Sequence, residues 1–423
     1  MPHKLACVCM LLALGVPTAL GEADYVDSSA LNEAGLVKFW QLRLALEKGQ
    51  EIADAYLVDD QIYLATRDGY IYAIHAHTGT NRWKKRVITA GYQIRRPCHA
   101  GDRTIFVTPP AITQYDRYTG QPIRRMETRF PTGSAAISDG MYLYVGGIDQ
   151  QIYAFALDQD FERWKARAGG QILSRPALLG KHLYFAGDDG SVYACVAEDK
   201  RFYWRTRTTG SITADLAVDD NGVYVATRDN ALYSLAPQDG GRRWRTRFSG
   251  PLYEPPVVTP EVVFQYCPED GVAAINAGTV GVEKRVRWVL PRGRQLLTLD
   301  EHLAYVLSRD ESILIAKLDD GKIVHTVPAP GFTMPMPSPS DRALYIASKD
   351  GRLFCARQRG APPLQAEDVR AAMQRPGEPE GQETGAGGET AEAPAVEEDH
   401  LKSTRPGPPI GGKSKVSKEY AGE

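Results

Sequence analysis

The chain has 423 residues, a formal net charge of −2 and 43% hydrophobic residues, which suits a soluble globular protein long enough to bury a large core. Residues 361–423 hold seven Lys/Arg and twelve Asp/Glu, a charge of −5 that leaves +3 for residues 1–360. Such near-neutrality gives no reason to expect nucleic-acid binding, and no stretch approaches the length of a transmembrane helix.

Lys4, the apolar run Leu5 to Leu14 and the small residues Ala19 and Gly21 form the pattern of an export signal over residues 1–21, with cleavage expected before Glu22. Cys7 and Cys9 stand too early to be lipobox cysteines. The expectation is an exported protein, periplasmic or extracellular and associated with the cell envelope, without a lipid anchor. Residues 22–37 read as a polar lead-in with room for one helical turn. From Lys38 the register becomes β, and Lys38 to Leu44 form a short strand with no neighbour in sequence to pair with.

A repeat of about 40 residues follows. Aligned on the aromatic residue of its first strong strand, it recurs at Tyr63, Phe106, Tyr144, Tyr184, Tyr224, Phe264, Tyr305 and Tyr345. Polar turns such as Arg67-Asp68-Gly69, Asp188-Asp189-Gly190 and Lys349-Asp350-Gly351 come next, the chemistry of tight hairpins whose backbone needs positive φ. A small residue then stands at Ala73, Ala154, Ala194, Ser234, Ala274 and Ala316, and a tryptophan at Trp83, Trp164, Trp204, Trp244 and Trp288. Units two and seven lack the tryptophan. Eight such units with near-continuous apolar strands predict an all-β fold, an eight-bladed β-propeller of four-stranded antiparallel blades spanning residues 38–360. The last unit ends before a tryptophan strand, and Trp40 to Arg43 repeats the Trp-x-x-Arg form of Trp83 to Arg86. The N-terminal strand is therefore expected to close the ring as the outer strand of blade eight, leaving no open edge between first and last blades.

With eight blades, Cys98 and Cys267 lie across the ring from each other, as do Cys195 and Cys355, beyond disulfide reach. Free, buried thiols are expected. Residues 361–423 are rich in Pro, Gly and Glu and are expected to be disordered, apart from a short helix around Glu367 to Met373.

No catalytic, cofactor-binding or metal-binding constellation emerges. Gly407 to Ser414 satisfies the phosphate-loop expression but has two prolines and neither strand nor helix around it. His75 and His77 stand two apart on a predicted strand without a third ligand tied to them by spacing. One pattern rises above this background. Trp-[Lys/Arg]-x-Arg recurs at residues 83–86, 164–167, 204–207 and 244–247, with the tryptophan on one face and the cations on the other. The cations guard an edge strand, or Arg86, Arg167, Arg207 and Arg247 form a belt that docks an acidic protein partner. Trp40, Trp83, Trp164, Trp204, Trp244 and Trp288 are expected to dock blades.

Ala73 to Trp83 (AIHAHTGTNRW) resembles the tryptophan-docking motif of the pyrroloquinoline-quinone (PQQ) repeat, AxDxxTGxxxW, with His75 in place of the aspartate. Asp116 to Gly120 keeps the aspartate and the TG turn without the tryptophan. The resemblance spans residues 38–360 and implies the quinoprotein-like propeller fold. It offers two branches. Quinone-dependent dehydrogenases would need PQQ and Ca²⁺, and many alcohol enzymes among them carry a vicinal cysteine pair that this chain lacks. The non-enzymatic, BamB-like propellers fit its size and plain repeats better. The resemblance thus implies a non-catalytic, cofactor-free and monomeric scaffold for protein partners, acting in cell-envelope or outer-membrane protein assembly. The alternatives are a PQQ-dependent oxidoreductase, or a propeller binding a small ligand or sugar in its central channel near Arg95, Arg96, Arg175 and Glu254.

Overall fold

The computed structural model describes residues 23–375, apart from 90, 160, 279–280 and 282–284. The export-signal pattern, the phosphate-loop-like stretch and the chain after Arg375 lie outside the described residues. Eight four-stranded antiparallel sheets make up the fold. In blade one the strands are Ile52–Val58, Gln61–Thr66, Tyr70–His75 and Asn81–Arg86. Blade eight takes Phe332–Met336, Ala343–Ser348 and Arg352–Gln358 from the end of the repeats and Leu36–Arg43 from their start, the last paired antiparallel with Arg352–Gln358. First strands of neighbouring blades touch one another, as Ala177–Leu179 touches Ala217–Asp219. They form the inner ring, and the fourth strands form the rim. Middle strands such as Gln61–Thr66, Ser191–Val196 and Gly222–Thr227 are buried throughout, because blades cover both of their faces. On the rim strand Phe202–Arg207 only Trp204 is buried.

The tryptophans join the blades. Across the last strand pair, Ala73 faces Trp83, Ala154 faces Trp164, Ala194 faces Trp204, Ser234 faces Trp244 and Ala274 faces Trp288. The small partner leaves room for each indole to tilt onto its own blade's aromatic, from 5.8 Å (Phe264–Trp288) to 6.2 Å (Tyr345–Trp40) between ring centroids. Each indole N–H then donates to a backbone carbonyl of the next blade. Trp40 reaches Ala76, Trp83 reaches Arg117, Trp164 reaches Ala197, Trp204 reaches Pro237, Trp244 reaches Ala277 and Trp288 reaches Leu318, all at 2.8–3.0 Å. The glycine of the receiving turn is needed twice over. Gly120 has φ +67° and an added Cβ would stand 2.7 Å from the Trp83 ring. Gly79 stands in the same relation to Trp40, with φ +71°.

Two joints lack an indole, and each is completed differently. In blade two Gln114 takes the small-residue position opposite Arg124. Its Nε2 donates to Leu157 of blade three at 2.9 Å, the carbonyl an indole would otherwise reach. Between blades seven and eight the lead-in supplies apolar volume. Asp27 caps the helix Ser28–Glu33 by accepting from Ala30 N at 2.7 Å, and Val26, Leu31 and Leu36 are buried against Tyr305, Val327 and Phe354.

Cys98, Cys195, Cys267 and Cys355 are free and buried. Burial pushes the Cys98 and Cys195 thiols up to about 12, so they stay protonated at neutral pH and are poor nucleophiles. Of the stretch expected to be disordered, the structure describes 361–375, and the helix expected around Glu367 to Met373 runs over Ala366–Met373. Leu364 packs on the Trp40 cluster, the helix Ala366–Met373 follows, Arg82 Nε donates to Ala372 O at 2.9 Å and Arg375 pairs with Asp116. Blades eight, one and two supply the partners that this segment cannot supply for itself.

Two substitutions test the joints. Trp40→Ala should cost about 3–5 kcal/mol of stability, the usual range for emptying a buried aromatic site, measured by urea unfolding. Gly120→Ala should cost about 2–5 kcal/mol, from strain at positive φ and collision with the Trp83 ring. Unfolding midpoints unchanged from wild type would show that the indole sockets do not hold the ring.

Candidate functional site

The rim strands carry most of the charge that faces outward. The first cation after each tryptophan proves to be engaged within its own blade. Lys84 lies over Tyr72 at 5.2 Å, Lys165 over Tyr153 at 5.8 Å, Arg205 over Tyr193 at 5.3 Å and Arg245 over Tyr233 at 5.1 Å. Each has an acid as well: Glu47 at 3.2 Å, Glu162 at 3.4 Å, Asp189 at 3.6 Å and Asp229 at 2.8 Å respectively. These cations are balanced by ring and carboxylate, and they guard the edge.

The second cation behaves differently. Arg86, Arg167, Arg207 and Arg247 occupy one register position, opposite Tyr70, Gln151, Ser191 and Ala231. All four are exposed. Arg86 leans over Tyr70 at 5.8 Å. Arg167, Arg207 and Arg247 have neither an ion pair nor a side-chain hydrogen bond among the described residues. They mark three consecutive blades, three to five, with uncompensated positive charge at equivalent places on the rim.

In the segments that lead into the inner strands Cys98–Ala100 and Ala177–Leu179, Arg95, Arg96 and Arg175 each bridge to a neighbouring blade. Arg95 Nη1 donates to Thr132 O at 3.4 Å, Arg96 Nη2 to Leu57 O at 2.6 Å and Arg175 Nε to Ala136 O at 2.9 Å. Glu254 pairs with Arg294 at 2.5 Å. Arg96 is exposed to solvent, with the guanidinium of Arg175 near it. Desolvation by the surrounding protein, and secondarily the nearby Arg175, bring its guanidinium down to about 10. The four residues sit at blade-to-blade contacts, and each guanidinium has donors left over beyond its bridge.

His75 and His77 part company. His75 ends its strand, while His77 lies in the following turn, so the two do not stand on one strand as the spacing predicts. His75 Nδ1 is 2.9 Å from Thr78 Oγ1, and Thr78 Oγ1 is 2.7 Å from Thr80 Oγ1. Burial, and then Arg82, push the His75 imidazole down to about 4, so it caps a turn as the neutral form. His77 turns to blade eight, edge-on to Phe39 at 5.2 Å and 3.1 Å from Arg357 Nη2. Among the described residues no group of three or more His, Cys, Asp or Glu is placed to hold a metal ion, and no helix is long and apolar enough to cross a membrane.

Gln114 as an indole substitute escaped sequence reasoning, because a glutamine where the other repeats have Ala or Ser looks like simple divergence. The different fates of the first and second cations also escaped it. The strand period assigns them one face, and only the cross-strand register shows that a tyrosine and a turn acid take the first.

Comparison with known proteins places these features in a family. A family model described as outer membrane protein assembly factor BamB matches residues 29–111, 110–214 and 189–334. Among solved structures, BamB from Moraxella catarrhalis is similar with a TM-score of 0.61 and 18% identity, covering 78% of this chain and 99% of that one. The computationally designed Ika8 protein gives a TM-score of 0.60 and 11% identity, covering 74% and 98%. At these identities the two likenesses are likenesses of fold. No curated protein matches the chain in sequence. The family matches run through most of the ring, and the chain belongs to the BamB family of PQQ-repeat propellers.

Proposed function

We propose that the protein is a non-catalytic interaction scaffold of the cell envelope, acting in the assembly of outer-membrane proteins and docking an acidic protein partner on its rim. The observation that carries this reading is the unpaired row of Arg167, Arg207 and Arg247 at one register position on consecutive blades. Charge left uncompensated on a rigid frame steers association and selects partners by complementarity. Each rim strand pairs on one side only, so an extended segment of the partner can add to its free edge. The tryptophans and turn acids are consumed by the fold, and the histidines His75 and His77 by local contacts. The reading requires no cofactor. Export and the role in membrane-protein assembly follow the family description and the N-terminal pattern of residues 1–21.

Replacing Arg86, Arg167, Arg207 and Arg247 together by Gln tests it. Stability should change by less than about 0.5 kcal/mol per site, as for surface positions. Capture of the partner by cross-linking in envelope extracts should fall about tenfold and be salt-sensitive in the wild type. Undiminished capture by the fourfold variant would sink the belt.

A further inference from the structure

Blade two breaks the cation pattern of its neighbours. In blades one, three, four and five the first rim cation stands opposite a tyrosine: Lys84 opposite Tyr72, Lys165 opposite Tyr153, Arg205 opposite Tyr193 and Arg245 opposite Tyr233. In blade two the residue at this position is Arg125, and it stands opposite Thr113. The hairpin turn beside it, which supplies Asp189 and Asp229 to the cations of blades four and five, is here Pro109-Pro110. Both restraints are gone. Arg125 is exposed and makes neither an ion pair nor a side-chain hydrogen bond among the described residues.

Its surroundings form a cleft of about 370 Å³ between blades one and two. Arg86 of blade one lines the other wall, with Thr89, Thr108, Tyr92 and Pro110 between, and no carboxylate lines it. The acid that Arg86 feels is Asp68, which already accepts from Gln50 at 2.9 Å and from Thr66 at 2.5 Å. Two guanidinium forks therefore face a shared space with hydroxyls alongside, a donor set suited to carboxylate. Tyr92, 52% exposed, and Pro110 add flat apolar surface. The volume lies at the lower end of small-ligand pockets, room for a side chain or two.

We propose that this cleft is an acceptor site for an extended acidic peptide segment of the protein partner. A carboxylate sits between Arg86 and Arg125, and an adjoining aromatic or proline side chain lies on Tyr92 and Pro110. The proposal rests on the scaffold reading and narrows it, making blade two the point of sequence recognition and the belt of blades three to five the point of general charge attraction.

The test uses the full chain and a short fluorescein-labelled peptide of glutamates flanking a tyrosine, followed by anisotropy. The matched glutamine peptide should bind about tenfold more weakly, and Arg125→Gln and Arg86→Gln should each weaken the glutamate peptide about tenfold. Pro109→Asp returns a turn carboxylate to Arg125 and should weaken binding similarly. Arg207→Gln should leave it within about twofold. Equal affinity in Arg125→Gln and wild type overturns the proposal, as does an equal loss in Arg207→Gln, which would mark generic attraction. Displacement of the peptide by inorganic phosphate at the peptide's own concentration also overturns it, by showing a site for any small anion. To separate the two, Arg167, Arg207 and Arg247 are replaced together by Gln with Arg86 kept. If the peptide ignores Arg125 while partner capture still needs these three, the cleft alone fails. If the peptide needs Arg125 while capture ignores these three, the belt alone fails.

Discussion

The structure depends on one contact, an indole N–H of one blade donating to a backbone carbonyl of the next. A buried indole must find an acceptor or pay its desolvation cost, and the acceptor it finds belongs to the neighbouring blade. This condition explains several features at once. The residue across the strand pair is small so that the ring can tilt, and the blade's own aromatic completes the socket. Four receiving turns carry a glycine, Gly79, Gly120, Gly240 and Gly321, where a Cβ would strike the ring, while Lys200 takes that place at φ +56° in the turn that receives Trp164. Since each socket holds the next blade, the contact also fixes the angular step around the ring. Trp40 makes the step from blade eight to blade one, so the N-terminal strand and the end of the repeats are held by the same means as any neighbouring pair.

The two joints without an indole show which part of the contact is essential. At the joint of blades two and three the donor survives as Gln114. At the joint of blades seven and eight the volume survives instead, as Val26 and Leu31 from the lead-in. Hydrogen bond and packing can thus be supplied separately, by unrelated residues. Closing the ring with a strand brought from the chain's start also carries the lead-in to blade eight, which is how residues far from the seventh repeat come to finish it.

The fold was legible because the socket has a sequence period. A small residue and a tryptophan recur at one offset in Ala73 and Trp83, Ala154 and Trp164, Ala194 and Trp204, and Ser234 and Trp244, and the turn residues state where each hairpin bends. The replacements were not legible, since Gln114 and the helix Ser28–Glu33 have no counterpart in other repeats and gain meaning only in three dimensions. Residues 361–375 are a related case. Their composition cannot bury a core, yet Arg82 and Asp116 hold them in place. At the rim, alternation correctly separated tryptophans from cations but could not separate one cation from the next. That distinction depends on a cross-strand tyrosine and a turn acid, which is a matter of register between strands.

A propeller built from near-identical units has near-identical surfaces, so recognition has to come from departures. Turn acids and rim cations cancel blade by blade in blades four and five, where Asp189 meets Arg205 and Asp229 meets Arg245. A partner meeting only such blades could bind in several registers around the ring. Blade two removes that degeneracy. It lacks the tryptophan, the tyrosine under the cation and the turn acid together, and the three losses leave Arg125 free beside Arg86. The missing tryptophan is made good by Gln114, so the joint persists while the rim changes character. Stability tolerates the break because the donor was replaced, and specificity needs the break because nothing replaced the tyrosine and the acid. Under the proposed docking, the exposed Arg125 of blade two is where a partner would find its register.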